Sequence, residues 1–159
     1  MDVVAADGDW LQVTVAGWQQ QGVEASATAR EGQRILVATL DPAAAAKMSR
    51  DKTEKDAGTG LTWTQGRLTA GVSKADLNPS LPAVWAYAGG LYGASCGTCH
   101  AAHPTAAYLA NQWVGNLKAM KRFTSLDDGQ YRLLLAYLQL HSKDAGPGGT
   151  AAAKTDQAL

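Results

Sequence analysis

The 159-residue chain is poor in the residues that usually build metal or disulfide frameworks. It has two cysteines and three histidines. Two cysteines cannot form the multi-bridge scaffold of a small secreted domain. Without a second cysteine pair, and without a paired spacing among the remaining histidines, a four-ligand structural zinc site is excluded. No apolar run approaches the roughly 18 residues needed to cross a bilayer. No basic-then-apolar export signal opens the chain. An excess of either charge is missing as well: 14 basic and 14 acidic residues leave a formal net charge of +0. That balance argues against nucleic acid or an anionic membrane as the main partner. The length suits one ordinary domain or two very small ones.

What the chain does have is concentrated at one place. Both cysteines fall in Cys96-Gly97-Thr98-Cys99-His100. Two cysteines separated by two residues and followed at once by histidine form the attachment signature of a c-type haem. Each thiol can add to one vinyl group of the porphyrin, and the adjacent imidazole is then held beneath the iron as proximal ligand. A redox dithiol would need a βαβ setting, which the surrounding pattern lacks. The expected cofactor is therefore one covalently attached haem c, held by Cys96 and Cys99 with His100 on the iron. Attachment of this kind takes place outside the cytoplasm in bacteria. The chain accordingly reads as a mature or excised piece of a periplasmic protein, with a targeting or membrane-anchoring segment belonging to its parent.

The first half is patterned for strands. From Trp10 to Ala16 the chain alternates, with Trp10, Gln12, Thr14 and Ala16 on one face and Leu11, Val13 and Val15 on the other. Residues 33–40 form a second strand ended by Asp41-Pro42. A short helix can follow Pro42, residues 49–60 read as an exposed loop, and residues 61–72 return to strand content. Short strands, frequent glycines and scattered tryptophans suggest a small β-barrel-like part, with a β extension lacking its own core as the alternative. Pro79 and Pro82 mark the boundary.

Beyond it the period becomes helical. Ser80 can cap a helix with Trp85, Ala88 and Tyr92 on its inner face. Thr105 opens another, on which Leu109, Trp113, Leu117 and Met120 form one apolar stripe. Ser125 is the expected N-cap of a last helix carrying Leu134, Leu135 and Leu138. The organisation is thus a β domain or connector over 1–78, a monohaem domain over 79–145 and a disordered tail over 146–159. The fold class is α+β: a β-barrel-like part, then an all-α, class I cytochrome c-like haem domain. Tyr92, Leu109 and Trp113 are the expected haem-pocket residues.

Electron transfer usually requires a sixth iron ligand. Met48 sits beside a charged loop, and His103 is too close behind the proximal ligand to reach over the ring. Met120, last on the stripe, is the favoured distal ligand. His141, at the end of the last helix, and an open site remain the alternatives. A neutral thioether would raise the reduction potential relative to a second imidazole. The expected role is an electron carrier and not an enzyme. Two other readings compete with it. One is a peroxidase-like haem, with His141 as its only acid–base nominee. The other is a redox-sensing interaction module that docks through the β half.

The stretches Trp85-Ala86-Tyr87, Leu91 to His103, Ala110 to Trp113, Lys118 to Lys121 and Tyr137 to His141 resemble the C-terminal monohaem domain of pentahaem TorC/DorC-type cytochromes of the NapC/NirT group. The pieces around Gly17-Trp18, Gly32 to Ile35 and Leu61 to Trp63 are similar to the connector preceding that haem. The resemblance implies a terminal relay that passes electrons from an upstream multihaem portion to a periplasmic molybdenum reductase for trimethylamine N-oxide or dimethyl sulfoxide. It also implies contact with a sensor protein. The four further haem motifs of that group are absent from this sequence.

Overall fold

A computed structural model of the chain describes residues 1–145. The expected tail at 146–159 lies outside the described residues. The chain divides into two compact units, Met1–Leu91 and Tyr92–Leu159.

The first unit is an antiparallel sheet of six strands: β1 (Asp2–Asp7), β2 (Trp10–Gln20), β3 (Val23–Arg30), β4 (Gln33–Thr39), β5 (Lys52–Lys55) and β6 (Thr62–Ser73). The order is β4-β3-β2-β6-β5, with β1 paired to β2 outside that path. β2 is the spine. One edge pairs with β6 along its whole length, from Trp10↔Ser73 to Gln20↔Trp63. The other edge is shared, its start by β1 and its end by β3. The alternation read between Trp10 and Ala16 puts Val13 fully inside, while Trp10 on the other face stays exposed.

The sheet is not closed, which corrects the expected barrel-like part. Three hairpins with two-residue loops carry Gly8, Gly22 and Gly32 at positive φ. They join sequence neighbours into a meander. No ladder then links β4 to β5. Two strands were not legible: β1 is exposed at every residue, and β3 is rich in small residues. β5 also interrupts what read as a loop over 49–60.

Helix α1 (Pro42–Lys47) follows β4. Asp41 caps it by accepting from the Ala44 N–H at 2.7 Å, and Pro42 occupies its first turn. Ala27, Leu40 and Met48 form a core beneath it, with Ala44, Ala45 and Leu68 packed around them. The chain after α1 then lies tightly against β6. Ser49 N–H donates to the Arg67 carbonyl at 2.9 Å, and Asp51 N–H to the Gln65 carbonyl at 2.8 Å. The strand between them is bare at Gly66, where a Cβ would fall on the Ser49 carbonyl oxygen and within 3.1 Å of Met48 Cγ.

The second unit is helical as far as it is described. Helix α2 (Leu81–Cys96) ends at the first cysteine, and the division between units falls within it. A 3-10 turn (Thr105–Ala107) stands where the long helix was expected to open. Helix α3 proper is Ala110–Met120. Its first N–H is satisfied from afar, Ala110 N–H donating to Asp144 Oδ1 at 2.7 Å. A second 3-10 turn (Lys121–Phe123) leads to helix α4 (Asp128–Leu140). The N-cap of α4 is Asp127 in place of Ser125. Asp127 Oδ1 accepts from Gln130 N–H at 2.8 Å while Gln130 Oε1 accepts from Asp127 N–H, a reciprocal capping box. Trp113 and Leu117 of α3 and Leu134 and Leu138 of α4 are buried. Gln139, also buried, donates from Nε2 to the Ala110 carbonyl at 3.1 Å.

Gly66→Ala is expected to cost about 1–3 kcal/mol by overpacking. Denaturant unfolding of the full chain measures it, with Gly71→Ala on the same strand, where a Cβ would make only an ordinary 3.8 Å contact with Trp10, as a control for the backbone effect.

Candidate functional site

The site begins at the end of α2. Tyr92 and Cys96, one helical turn apart, line a single cavity of about 560 Å³. Cys96 is half-buried, and burial pushes its thiol above the ordinary range. The next residue has to be small: a Cβ at Gly97 would stand 2.5 Å from the Gly93 carbonyl oxygen. The chain then leaves the helix, and Cys99 and His100 lie on an exposed loop. His100 Nδ1 stands 2.9 Å from its neighbour's carbonyl, Ala101 O. A carbonyl can only accept, so in the neutral ring Nδ1 carries the proton and Nε2 keeps its lone pair for a ligand.

α3 supplies the opposite wall with Trp113, Asn116, Leu117 and Met120. The turn after it adds Phe123, which is 65% exposed. The Trp113 indole donates to the Thr105 carbonyl at 2.9 Å, and the Tyr92 hydroxyl to the His103 carbonyl at 2.7 Å. The edges of Tyr92 and Tyr108 meet Trp113 with ring centroids 6.2 and 4.9 Å away. The volume lies inside the range of roughly 300–1,000 Å³ typical of cofactor pockets. Two thiols, an imidazole with a free ring nitrogen and a thioether all border it. That donor set suits a covalently held iron porphyrin, with Cys96 and Cys99 available for the vinyls and His100 and Met120 for the metal.

Of the residues singled out from sequence, Tyr92, Cys96, Cys99, His100, Trp113 and Met120 share this lining. Leu109 does not; it is the N-cap residue of α3 and is 42% exposed. His141 is likewise not on the lining. It caps α4, with Nδ1 2.7 Å from the Tyr137 carbonyl and its ring against Tyr137. Met48 lies in the core of the sheet unit. His103, weighed from sequence and discounted as a ligand, also lines the cavity, and lining residues that sequence reasoning missed include Tyr108, Asn116 and Phe123. Asn116 and Phe123 had a signal, since they sit four before and three after Met120 on the same stripe. Tyr108 had none, because the 3-10 turn breaks the period ahead of α3.

In haem-free protein, iodoacetamide is expected to alkylate Cys99 before Cys96. Cys96 is both less accessible and held more fully in the unreactive thiol form. Peptide mass mapping over a time course measures the order.

A family model described as TorC third cytochrome c domain matches residues 1–77. The cytochrome c-type protein TorC of Escherichia coli (strain K12) is 36% identical over 143 residues, covering 89% of this chain and 37% of the relative. The cytochrome c-type protein TorY of Haemophilus influenzae is 36% identical over 138 residues, 87% of this chain and 38% of the relative. TorY of Escherichia coli O157:H7 is 29% identical over 147 residues, with coverages of 91% and 39%. No solved structure matches. The chain therefore spans well under half the length of these curated relatives, and it belongs to the TorC/TorY family of c-type cytochromes.

Proposed function

We propose that the second unit holds one haem c and that the chain serves electron transfer. The observation that carries this reading is the convergence of Cys96, Cys99, His100 and Met120 on one largely apolar cavity. Cys96 and Cys99 would each add S–H across a vinyl double bond, forming a C–S and a C–H bond with no net oxidation. His100 would bind through Nε2, its other nitrogen committed to the Ala101 carbonyl. Met120 would take the sixth position from the far wall. Haem iron supplies a one-electron couple when bound. The apolar walls formed by Trp113 and Leu117 would exclude water and disfavour added charge, and the neutral sulfur of Met120 works in the same direction. The exposed Phe123 and the half-exposed Met120 leave one side of the cavity open towards a redox partner.

The finer reading follows from kinship. As part of a larger TorC-like parent anchored at the inner membrane, the chain would be the terminal relay of a multihaem cytochrome. It would pass electrons in the periplasm to a molybdenum reductase of the trimethylamine N-oxide or dimethyl sulfoxide type. Reduction of the purified reductase by the prereduced chain, followed by stopped-flow absorbance, tests that step. Absence of transfer at any salt concentration would remove the reductase from the proposal.

Met120→Ala is expected to abolish the weak long-wavelength ferric–thioether band and to lower the reduction potential. His141→Ala is expected to change neither. Optical redox titration of both variants measures the effect, and the opposite pattern would move the sixth ligand to His141.

A further inference from the structure

The segment from Thr98 to His103 carries the second cysteine and the proximal histidine, yet its own backbone does not hold it. Among the described residues, it makes no main-chain hydrogen bond to another main-chain group. It is also mostly exposed. Regular structure therefore does not set its path, and its local ties, Thr98 Oγ1 to the Ala94 carbonyl at 3.5 Å and His100 Nδ1 against the Ala101 carbonyl, leave the far end of an exposed loop to sample many paths. Two side chains from the flanking helices act on the segment and the turn that follows it. Tyr92, one turn before the end of α2, donates its hydroxyl to the His103 carbonyl at 2.7 Å. Trp113 of α3 donates its indole N–H to the Thr105 carbonyl at 2.9 Å. The two rings meet edge to face at 6.2 Å, and Tyr108 closes the group against both Trp113 and His103. A tyrosine hydroxyl keeps its proton at neutral pH, and burial of Tyr92 pushes it further that way, so it remains a donor.

We propose, on the basis of the haem reading above, that Tyr92 and Trp113 are positioning residues that together latch the ligand loop and fix the orientation of His100 at the iron. Neither touches the metal. Tyr92 acts at the loop's far end, three residues beyond His100, and Trp113 two residues further on. The loop is thereby closed between Cys96, anchored in α2, and two carbonyls anchored by indole and phenol. A net side-chain hydrogen bond contributes on the order of 1 kcal/mol, so losing one should make the open loop about three- to tenfold more populated.

The test uses the full-length, haem-bearing chain and its Tyr92→Phe and Trp113→Phe variants. Each variant keeps a ring and deletes one donor. Mass spectrometry first establishes that haem is attached. In the reduced state, backbone 15N order parameters at 98–103 should then fall in each variant as the open loop becomes more populated. In the ferric state, the hyperfine-shifted NMR resonances of the His100 ring should move. Tyr87→Phe, an exposed tyrosine on the same helix, should alter neither readout. A merely structural role would lower the unfolding midpoint and leave the His100 resonances where they are. Unchanged resonances and unchanged order parameters in a haem-bearing variant would overturn the latch alone. A wild-type chain with the mass of bare polypeptide after competent maturation would overturn the haem reading together with it. Because the two bonds are cut independently, either variant decides the matter if the other fails to mature.

Discussion

Trp113 is buried on α3 with a single polar atom to satisfy, and the Thr105 carbonyl satisfies it at 2.9 Å. Much of the site follows from that contact. A buried indole without a partner would cost on the order of 1–3 kcal/mol, so the turn carrying Thr105 has to lie against α3. Once there, Tyr108 falls beside the indole and His103 beside Tyr108. The ligand loop is then drawn along the cavity wall. Lys143 N–H, donating to the Tyr108 carbonyl at 3.0 Å, and Asp144, capping α3, close the same region from the end of α4. The aromatic rings supply burial and the side-chain donors supply direction.

The sheet unit depends on close approach. Gly17 and Gly66 face each other across the β2–β6 ladder. At Gly17, a Cβ would stand 3.0 Å from the Ala27 Cβ. At Gly66 the strand lets the chain leaving α1 lie on the sheet. Small residues on both sides of the ladder let Met48 and Leu40 pack within reach of Ala27. A methionine that sequence alone offered as a metal ligand is thereby committed to packing.

The site was more legible than the fold. The Cys96 to His100 motif states a chemistry in five residues, and the stripe of Trp113, Leu117 and Met120 has a helical period that the structure retains from Ala110 onwards. Leu109 fell off the cavity because the helix starts one residue later, and a cap residue does not share the helix face. The N-cap moved from Ser125 to Asp127 because Gln130 stands three residues after Asp127 and can answer it, a relation Ser125 lacks. β1 was hidden because DVVAAD carries no alternation. β3 does alternate, Val23, Ala25, Ala27 and Ala29 against Glu24, Ser26, Thr28 and Arg30, but its apolar face is mostly alanine, a weak strand former. The barrel expectation failed for a related reason. Strand content can be read locally, but closure depends on which edges meet, and no residue pattern in β4 or β5 encodes that.

The position of Met120 at the end of α3 has an electrical consequence. A helix ends in carbonyls without intrahelical donors, equivalent to roughly half a negative charge. Here that end is prolonged by the turn Lys121–Phe123, and the Lys121 ammonium is drawn away to Asp128 at 2.6 Å and to the Tyr131 ring. A centre lodged against Met120 would meet those carbonyls, which favour its more positive state. It would also meet Lys118 in the last turn and Arg122, whose guanidinium stands 4.6 Å from the Phe123 ring, and these cations favour the less positive one. The balance between oxidised and reduced forms would be set by these fixed charges as well as by the ligand itself.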